Sequence, residues 1–375
     1  MPALLPDIDP DGLMEYSVVF TDRSLNSMSG AFQQVMRDLS EMLKGVYNAD
    51  AVALIPGGGT FGMEAVARQL AKDKTVMVIR NGWFSYRWTQ IFEMGRLPSD
   101  EIVMTARRQG NSPQSPFAPP PIDEVEARIA EARPSVVFAP HVETSAGMIL
   151  PDDYIARLAK AVHDVGGLMV LDCIASGCVW VDMKATGVDV LISAPQKGWS
   201  ASPAAGCVMM SERAVQVVKA RQSDSFAVDL GKWLQIMEAY EGGGHAYHAT
   251  MPTDALKRFR DTMRETESLG FEQVKAAQWD LGRKVRRTLS DRGIPSVAAA
   301  EFGAPGVVVS YTDRDDVKSG KAFAEQGMQI AAGVPLMVGE GDDYKAFRIG
   351  LFGLDKLADP DAAVARLDQV LDRVF

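Results

Sequence analysis

The segment Pro56-Gly57-Gly58-Gly59-Thr60 follows a short apolar run and precedes a helical pattern from about Phe61 to Ala71. Glycines let the backbone come close to a ligand. Unpaired amides at the helix start, the positive end of the helix dipole and the Thr60 hydroxyl together suit a phosphate group. Gly57, Gly59 and Gly62 also match GxGxxG, so a dinucleotide site and a tight turn without a ligand both stay open. Arg80 closes the next apolar run, where a dinucleotide site would place an acid for the ribose. Two further groups could do chemistry: Asp172 ends the run Leu168 to Leu171, and Lys197 follows the run Val188 to Ile192 in Ser193-Ala194-Pro195-Gln196-Lys197-Gly198-Trp199. An aspartate there is commonly a turn former, and a lysine beside glycine and proline is commonly a solvated loop residue. His141 and Glu143 form HxE without the further spacing of a metal site, and no metal is expected.

The elements that must position these groups are legible as pattern. Val52 to Ile55, Val76 to Ile79, Val136 to Ala139, Leu168 to Leu171, Val188 to Ile192 and Cys207 to Met210 read as buried strands. Helical spacing runs from Phe32 to Val46 and from Asp152 to Asp164; in the latter Ile155, Leu158, Ala159 and Val162 share a face. Asp152 or Asp153 is expected to cap that helix, and Gly166-Gly167 to end it. The alternation predicts an α/β fold with a mostly parallel sheet covered on both faces. Strand ends then share one edge, where ligands of open sheets bind, so the glycine turn, Asp172 and Lys197 converge on one small molecule. Pyridoxal phosphate needs that set: an amine for its aldehyde, an acid for its ring nitrogen and a cradle for its phosphate. Five prolines between Gly110 and Ile122 predict an extended surface loop. The helical pattern Lys232 to Tyr240 stops at Gly242-Gly243-Gly244, and a long amphipathic segment begins after Pro252. This predicts an N-terminal arm (1–20), a large domain (21–252) and a smaller α+β domain (253–375), with a helix near Phe271 to Arg292 and a strand pair at Gly306 to Tyr311 and Ala346 to Leu351.

Seven separated segments carry a resemblance: PGGGTFGMEA at 56–65, NGWFSYRW at 81–88, HVETSAG at 141–147, LDCIASG at 171–177, PQKGW at 195–199, AYHAT at 246–250 and FRIGLFG at 347–353. In this order they make the chain resemble the class V aminotransferases of fold type I, nearest in pattern to the alanine/serine glyoxylate aminotransferase group. The resemblance implies transfer of an amino group from a small amino acid to a 2-oxo acid such as glyoxylate or pyruvate. It implies Lys197 as the Schiff-base lysine and proton carrier, and Asp172 as partner of the pyridine nitrogen. Ile174 would pack under the ring, Phe84 on its other face, and the Thr144 hydroxyl near the cofactor. Gly58, Gly59, Thr60 and Gln196 would hold the phosphate. Tyr247 and Thr250 would reach the phosphate of a neighbouring subunit, making the active unit a homodimer with shared sites. Arg348 would grip the substrate carboxylate, for which a planar guanidinium offers two parallel hydrogen bonds. Departures from the family pattern are Asp22-Arg23-Ser24-Leu25-Asn26 in place of a Pro-Gly-Pro turn, Pro195 where a serine is usual, and Met251 for the first of two prolines.

Bulk properties narrow the alternatives. With 39 basic against 49 acidic residues the net charge is -10, which argues against a nucleic-acid surface. Cys173, Cys178 and Cys207 show no CxxC spacing, as a reducing cytoplasm would allow. Met1 to Phe20 carries Asp7, Asp9, Asp11 and Glu15 without a basic leader region, and no apolar run reaches the roughly 18 residues of a membrane helix. A soluble protein is expected. Two other enzymes compete: a lyase or desulfurase on the same scaffold, of which the desulfurase is opposed by Gln196 and the strand-associated cysteines, and an NAD-binding dehydrogenase using Gly57 to Gly62. A cofactor-free binding protein would leave the matched groups without a purpose.

Overall fold

Seven apolar runs form one sheet in the spatial order Ala51–Pro56, Ala205–Met210, Val190–Ser193, Leu168–Asp172, Val136–Pro140, Thr75–Arg80, Asp100–Thr105 in the computed structural model, which describes residues 8–375. Residues 1–7 of the expected arm lie outside the described residues. Ala205–Met210 runs antiparallel to both its neighbours, and the other pairings are parallel. Helices Gly59–Leu70, Trp83–Gly95, Asp152–Asp164 and Leu230–Glu241 pack on the sheet. That covering explains why strand residues such as Leu54, Met77, Phe138 and Leu191 are buried whichever face they point to. Each fully buried side chain of this kind stabilises by about 2 kcal/mol relative to exposure.

Six of the seven strands match the expected runs. The seventh, Asp100–Thr105, escapes the pattern because it is the outer strand beside Thr75–Arg80 and opens on two acids. The helix Asp152–Asp164 has its expected bounds, but its N-cap is Pro151 with no side-chain cap. Asp152 and Asp153 lie one step inside, in the first turn, where their charge meets the helix dipole instead. The proline-rich stretch is also corrected. Its second half is internal: Phe117–Ala118 pairs with Arg107–Arg108, the Phe117 amide donates to the Val297 carbonyl at 2.7 Å, and the Tyr154 hydroxyl donates to the Pro120 carbonyl at 2.8 Å.

Towards the C-terminus, Val307–Tyr311 pairs antiparallel with Ala346–Gly350, whose other side carries Ala331–Ala332. Arg348 sits in that central strand, opposite Val309 and Ala331. The three cysteines are free and buried, and among the described residues no helix is long and apolar enough to cross a membrane.

Candidate active site

The parallel strands deliver Asp172 to the sheet edge as the last residue of Leu168–Asp172. Its carboxylate is 7% exposed and accepts one hydrogen bond, from the Ile174 amide at 2.9 Å. Among the described residues no lysine or arginine lies within ion-pair distance of it. Burial pushes its pKa up to about 6, against the pull of that amide and of Lys197. It is a buried acid short of a cationic partner.

Lys197 lies on a turn that closes on itself: the Ser200 amide donates to the Lys197 carbonyl at 3.1 Å, and the Ala201 amide to the Pro195 carbonyl at 3.0 Å. Ser200 takes a left-handed φ of 56°, and its hydroxyl accepts from the Leu354 amide at 3.0 Å, tying the turn to the C-terminal part. The Lys197 amine lies 5.8 Å from the ring centres of both Phe84 and Phe352. Burial moves its pKa down; Asp172 and Glu143 oppose the change, while Arg348 and Arg87 add to it. The amine is thereby brought nearer to a neutral nucleophile and base.

Opposite stands the glycine turn. Gly58 is the N-cap of Gly59–Leu70 and offers no side chain, and among the described residues the amides of Gly59 and Thr60 donate no hydrogen bond. A side chain at Gly59 would displace Ile174, since a Cβ there would lie 2.5 Å from Ile174 Cδ1 and 2.7 Å from its Cγ1. Gly62 packs on the sheet: a Cβ there would lie 3.2 Å from Ile192 Cγ2 and 3.3 Å from the Gly206 Cα. The strand before the turn is at the sheet edge beside an antiparallel neighbour, not at the central switch point that a dinucleotide fold uses, and Arg80 is engaged with Thr89 Oγ1 at 2.6 Å. The dinucleotide reading of GxGxxG therefore lacks the topology it requires, and its last glycine packs on the sheet.

Glu143 organises the remaining wall. Fully buried, its carboxylate accepts from the amides of Phe84, Ser85 and Ser145 and from the hydroxyls of Ser85 and Ser145, all within 3.2 Å. It thus satisfies the free amides at the start of Trp83–Gly95 and fixes the direction of Phe84. Gly82 allows this approach, because a Cβ there would lie 2.7 Å from Glu143 Cγ. The HxE partner of Glu143 is engaged elsewhere: His141 Nδ1 lies 2.7 Å from Ser176 Oγ, and burial holds its imidazole down to about 3. Among the described residues no group of three His, Cys, Asp or Glu is placed to hold a metal.

Eight expected residues, Gly59, Thr60, Phe84, Thr144, Asp172, Ile174, Gln196 and Lys197, line one cavity of about 100 Å3. Gly58 adjoins it. Arg348 stands beside it, its guanidinium carbon 5.5 Å from the Phe84 ring centre. That guanidinium is half-buried, bonds the Ala332 carbonyl at 2.8 Å and forms no ion pair among the described residues. Tyr247 and Thr250 are not part of the lining; they bond each other at 3.2 Å on the surface. Met63, Arg87, Val142 and Ala175 complete the wall without having been singled out. For Arg87 a signal existed, since it follows Phe84 by one helical turn and so shares its face.

Compared with known proteins, residues 13–338 match the family described as Aminotransferase class-V. A 2-aminoethylphosphonate–pyruvate transaminase of Paraburkholderia phymatum is 27% identical over 94% of this chain and 90% of its own. A protein of Synechococcus sp. named as the small subunit of a soluble hydrogenase is 25% identical, over 92% of this chain and 86% of its own. The crystal structure of an alanine–glyoxylate aminotransferase from Nostoc sp. superposes with a TM-score of 0.75 at 23% identity, covering 91% of this chain and 87% of that one.

Proposed function

The chain belongs to the class-V aminotransferases, and we propose that it transfers an amino group from a small amino acid to a 2-oxo acid such as glyoxylate or pyruvate, with pyridoxal phosphate held at Lys197. The observation that carries this is the opening of a lone amine, a buried acid without a cation and unpaired helix-start amides onto one cavity. These groups fit the cofactor. When bound, pyridoxal phosphate supplies an aldehyde that captures amines and a cationic ring that takes up the electron pair of the α-carbon. Lys197 holds the aldehyde and, once free, carries the proton at the α-carbon. Asp172 keeps the ring nitrogen protonated, and Phe84 and Ile174 confine the ring between them. Gly58, Gly59, Thr60 and Gln196 bind the phosphate, Thr144 lies beside the ring, and Tyr247 and Thr250 complete the site of a second copy in a homodimer. Division of the chain at residue 252 belongs to the same reading.

The acceptor class rests on relatives named for transfer to pyruvate. Desulfuration is disfavoured because, among the described residues, no cysteine lines the cavity, and burial raises all three thiols, Cys178 to about 12; β-elimination needs no thiol and is told from transamination by turnover. The test is a large excess of amino donor over enzyme sites without acceptor, followed by absorbance and product analysis. A transaminase stops after one equivalent of 2-oxo acid per site; continued release of ammonia overturns the assignment.

Two further outcomes follow from the geometry. Arg348→Gln removes both donors of the fork, so kcat/KM for a carboxylate substrate is expected to fall roughly 100-fold, with Arg348→Lys between the two. Steady-state kinetics check this; an unchanged kcat/KM would remove Arg348 from substrate binding. Gly59→Val drives a branched side chain into Ile174 at the cavity floor. Cofactor should be lost on gel filtration while far-UV circular dichroism is retained, and a variant that keeps its cofactor would contradict the close approach.

A further inference from the structure

We propose that Arg87 supplies the in-chain positive charge for the phosphate of the cofactor, an assignment that rests on the functional reading above. The phosphate carries nearly two negative charges near neutral pH. Every other group assigned to it, the Gly58, Gly59 and Thr60 segment, Gln196 and the second copy's Tyr247 and Thr250, is uncharged. Amides at a helix start contribute about half a charge, which leaves most of the phosphate unbalanced. Of the two cations that line the cavity, Lys197 is committed to the aldehyde, and Arg87 is the other.

Its placement suits the task. Arg87 Nη1 donates to Thr60 Oγ1 at 3.1 Å, so the guanidinium already touches the residue whose free amide opens the cradle. Its guanidinium carbon lies 5.3 Å from the Phe84 ring centre, a cation over an aromatic face that limits how far the fork can swing. Glu143 fixes the start of the same helix one turn earlier. Among the described residues Arg87 has no carboxylate partner, whereas Arg68 on the neighbouring helix is paired with both Glu64 and Asp224. Arg348 is separated in role, bonded to the Ala332 carbonyl on the C-terminal strand.

The test uses the full-length protein freed of cofactor and titrated with two ligands, pyridoxal phosphate and pyridoxal, which share ring and aldehyde and differ only in the phosphate. Binding is read by tryptophan quenching and visible absorbance. Arg87→Met keeps an apolar stem on Phe84 and removes the charge; Arg87→Lys keeps the charge and removes the fork. For Arg87→Met the Kd for pyridoxal phosphate is expected to rise roughly 10- to 100-fold, while the Kd for pyridoxal stays within about twofold. Arg87→Lys should fall between. Equal weakening of both ligands would make Arg87 a structural residue and overturn the proposal. So would unchanged cofactor binding with a raised KM for a dicarboxylate or phosphonate donor, which would assign Arg87 to the substrate. If neither ligand bonds to lysine in the unaltered protein, the functional reading fails, and the proposal with it.

Discussion

Lys197→Ala is expected to lower turnover by about 10⁴-fold or more while leaving the fold intact. The size follows from two losses at one atom. Without the amine there is no group to hold the cofactor aldehyde covalently, and none to carry the proton at the α-carbon, a step worth up to roughly 10⁴ by itself. The fold should survive because the turn around Lys197 is held by backbone bonds, from Ser200 to Lys197 and from Ala201 to Pro195, and by the Ser200 hydroxyl at Leu354. No hydrogen bond or ion pair of the Lys197 amine is lost, for it makes none with the described residues. Borohydride reduction followed by mass spectrometry should fix cofactor to the unaltered protein and not to the variant. If the amine acts as the base at the α-carbon, a small exogenous amine should restore part of the variant's activity, weaker bases less than stronger ones. Turnover within tenfold of the unaltered protein, or cofactor fixed at another lysine, would refute the assignment.

How much of this site the sequence discloses depends on which interactions are local. Asp172 and Lys197 were legible because strand and helix alternate around them, and parallel pairing brings strand ends to one edge whatever the details of packing. The glycine turn was legible as a strand-to-helix turn opening on the cavity, and the dinucleotide reading of it fell once the strand before it was found at the sheet edge. The face of Arg87 was legible from its spacing to Phe84, but its contact with Thr60 was not, because Thr60 lies on another helix and the spacing of neither helix announces it. The role of Glu143 was hidden likewise, since three of its five donors come from Phe84 and Ser85, far earlier in the chain, and meet it only in space. Asp100–Thr105 was missed where two acids mask an outer strand, and Phe117 was misplaced because a pairing with Val297, far along the chain, decides its burial. Arg348 illustrates the opposite case. The strand around it was expected from pattern, yet its function was implied by resemblance alone, because a lone arginine between Phe347 and Ile349 reads equally as half of an ion pair.

Asp172→Asn should move stability and activity in opposite directions. The carboxyl stands at about 6 in the folded protein against an ordinary 3.8, and burial is the main cause. A folded-state pKa above the unfolded value means that the native protein holds this proton more tightly. The destabilisation is therefore absent below about pH 4, grows as pH rises towards 6 and is complete above it, where it amounts to about 3 kcal/mol. Asparagine has no charge to desolvate and can still accept the Ile174 amide. In cofactor-free protein the variant should be the more stable by up to about 3 kcal/mol at pH 7.5, the gap closing near pH 4. Urea unfolding of both proteins across that range measures it, and a difference independent of pH would show that the carboxylate is solvated. Activity should fall by roughly 10²- to 10⁴-fold, because an amide cannot keep the ring nitrogen protonated and so cannot sustain its draw on the α-carbon's electrons. Added cofactor should then stabilise the unaltered protein more than the variant, since only the carboxylate gains a cationic partner on binding. If both proteins gain equally, Asp172 does not meet the ring nitrogen. The buried acid is, on this account, a strain maintained in the empty site and relieved by the ligand it is there to receive.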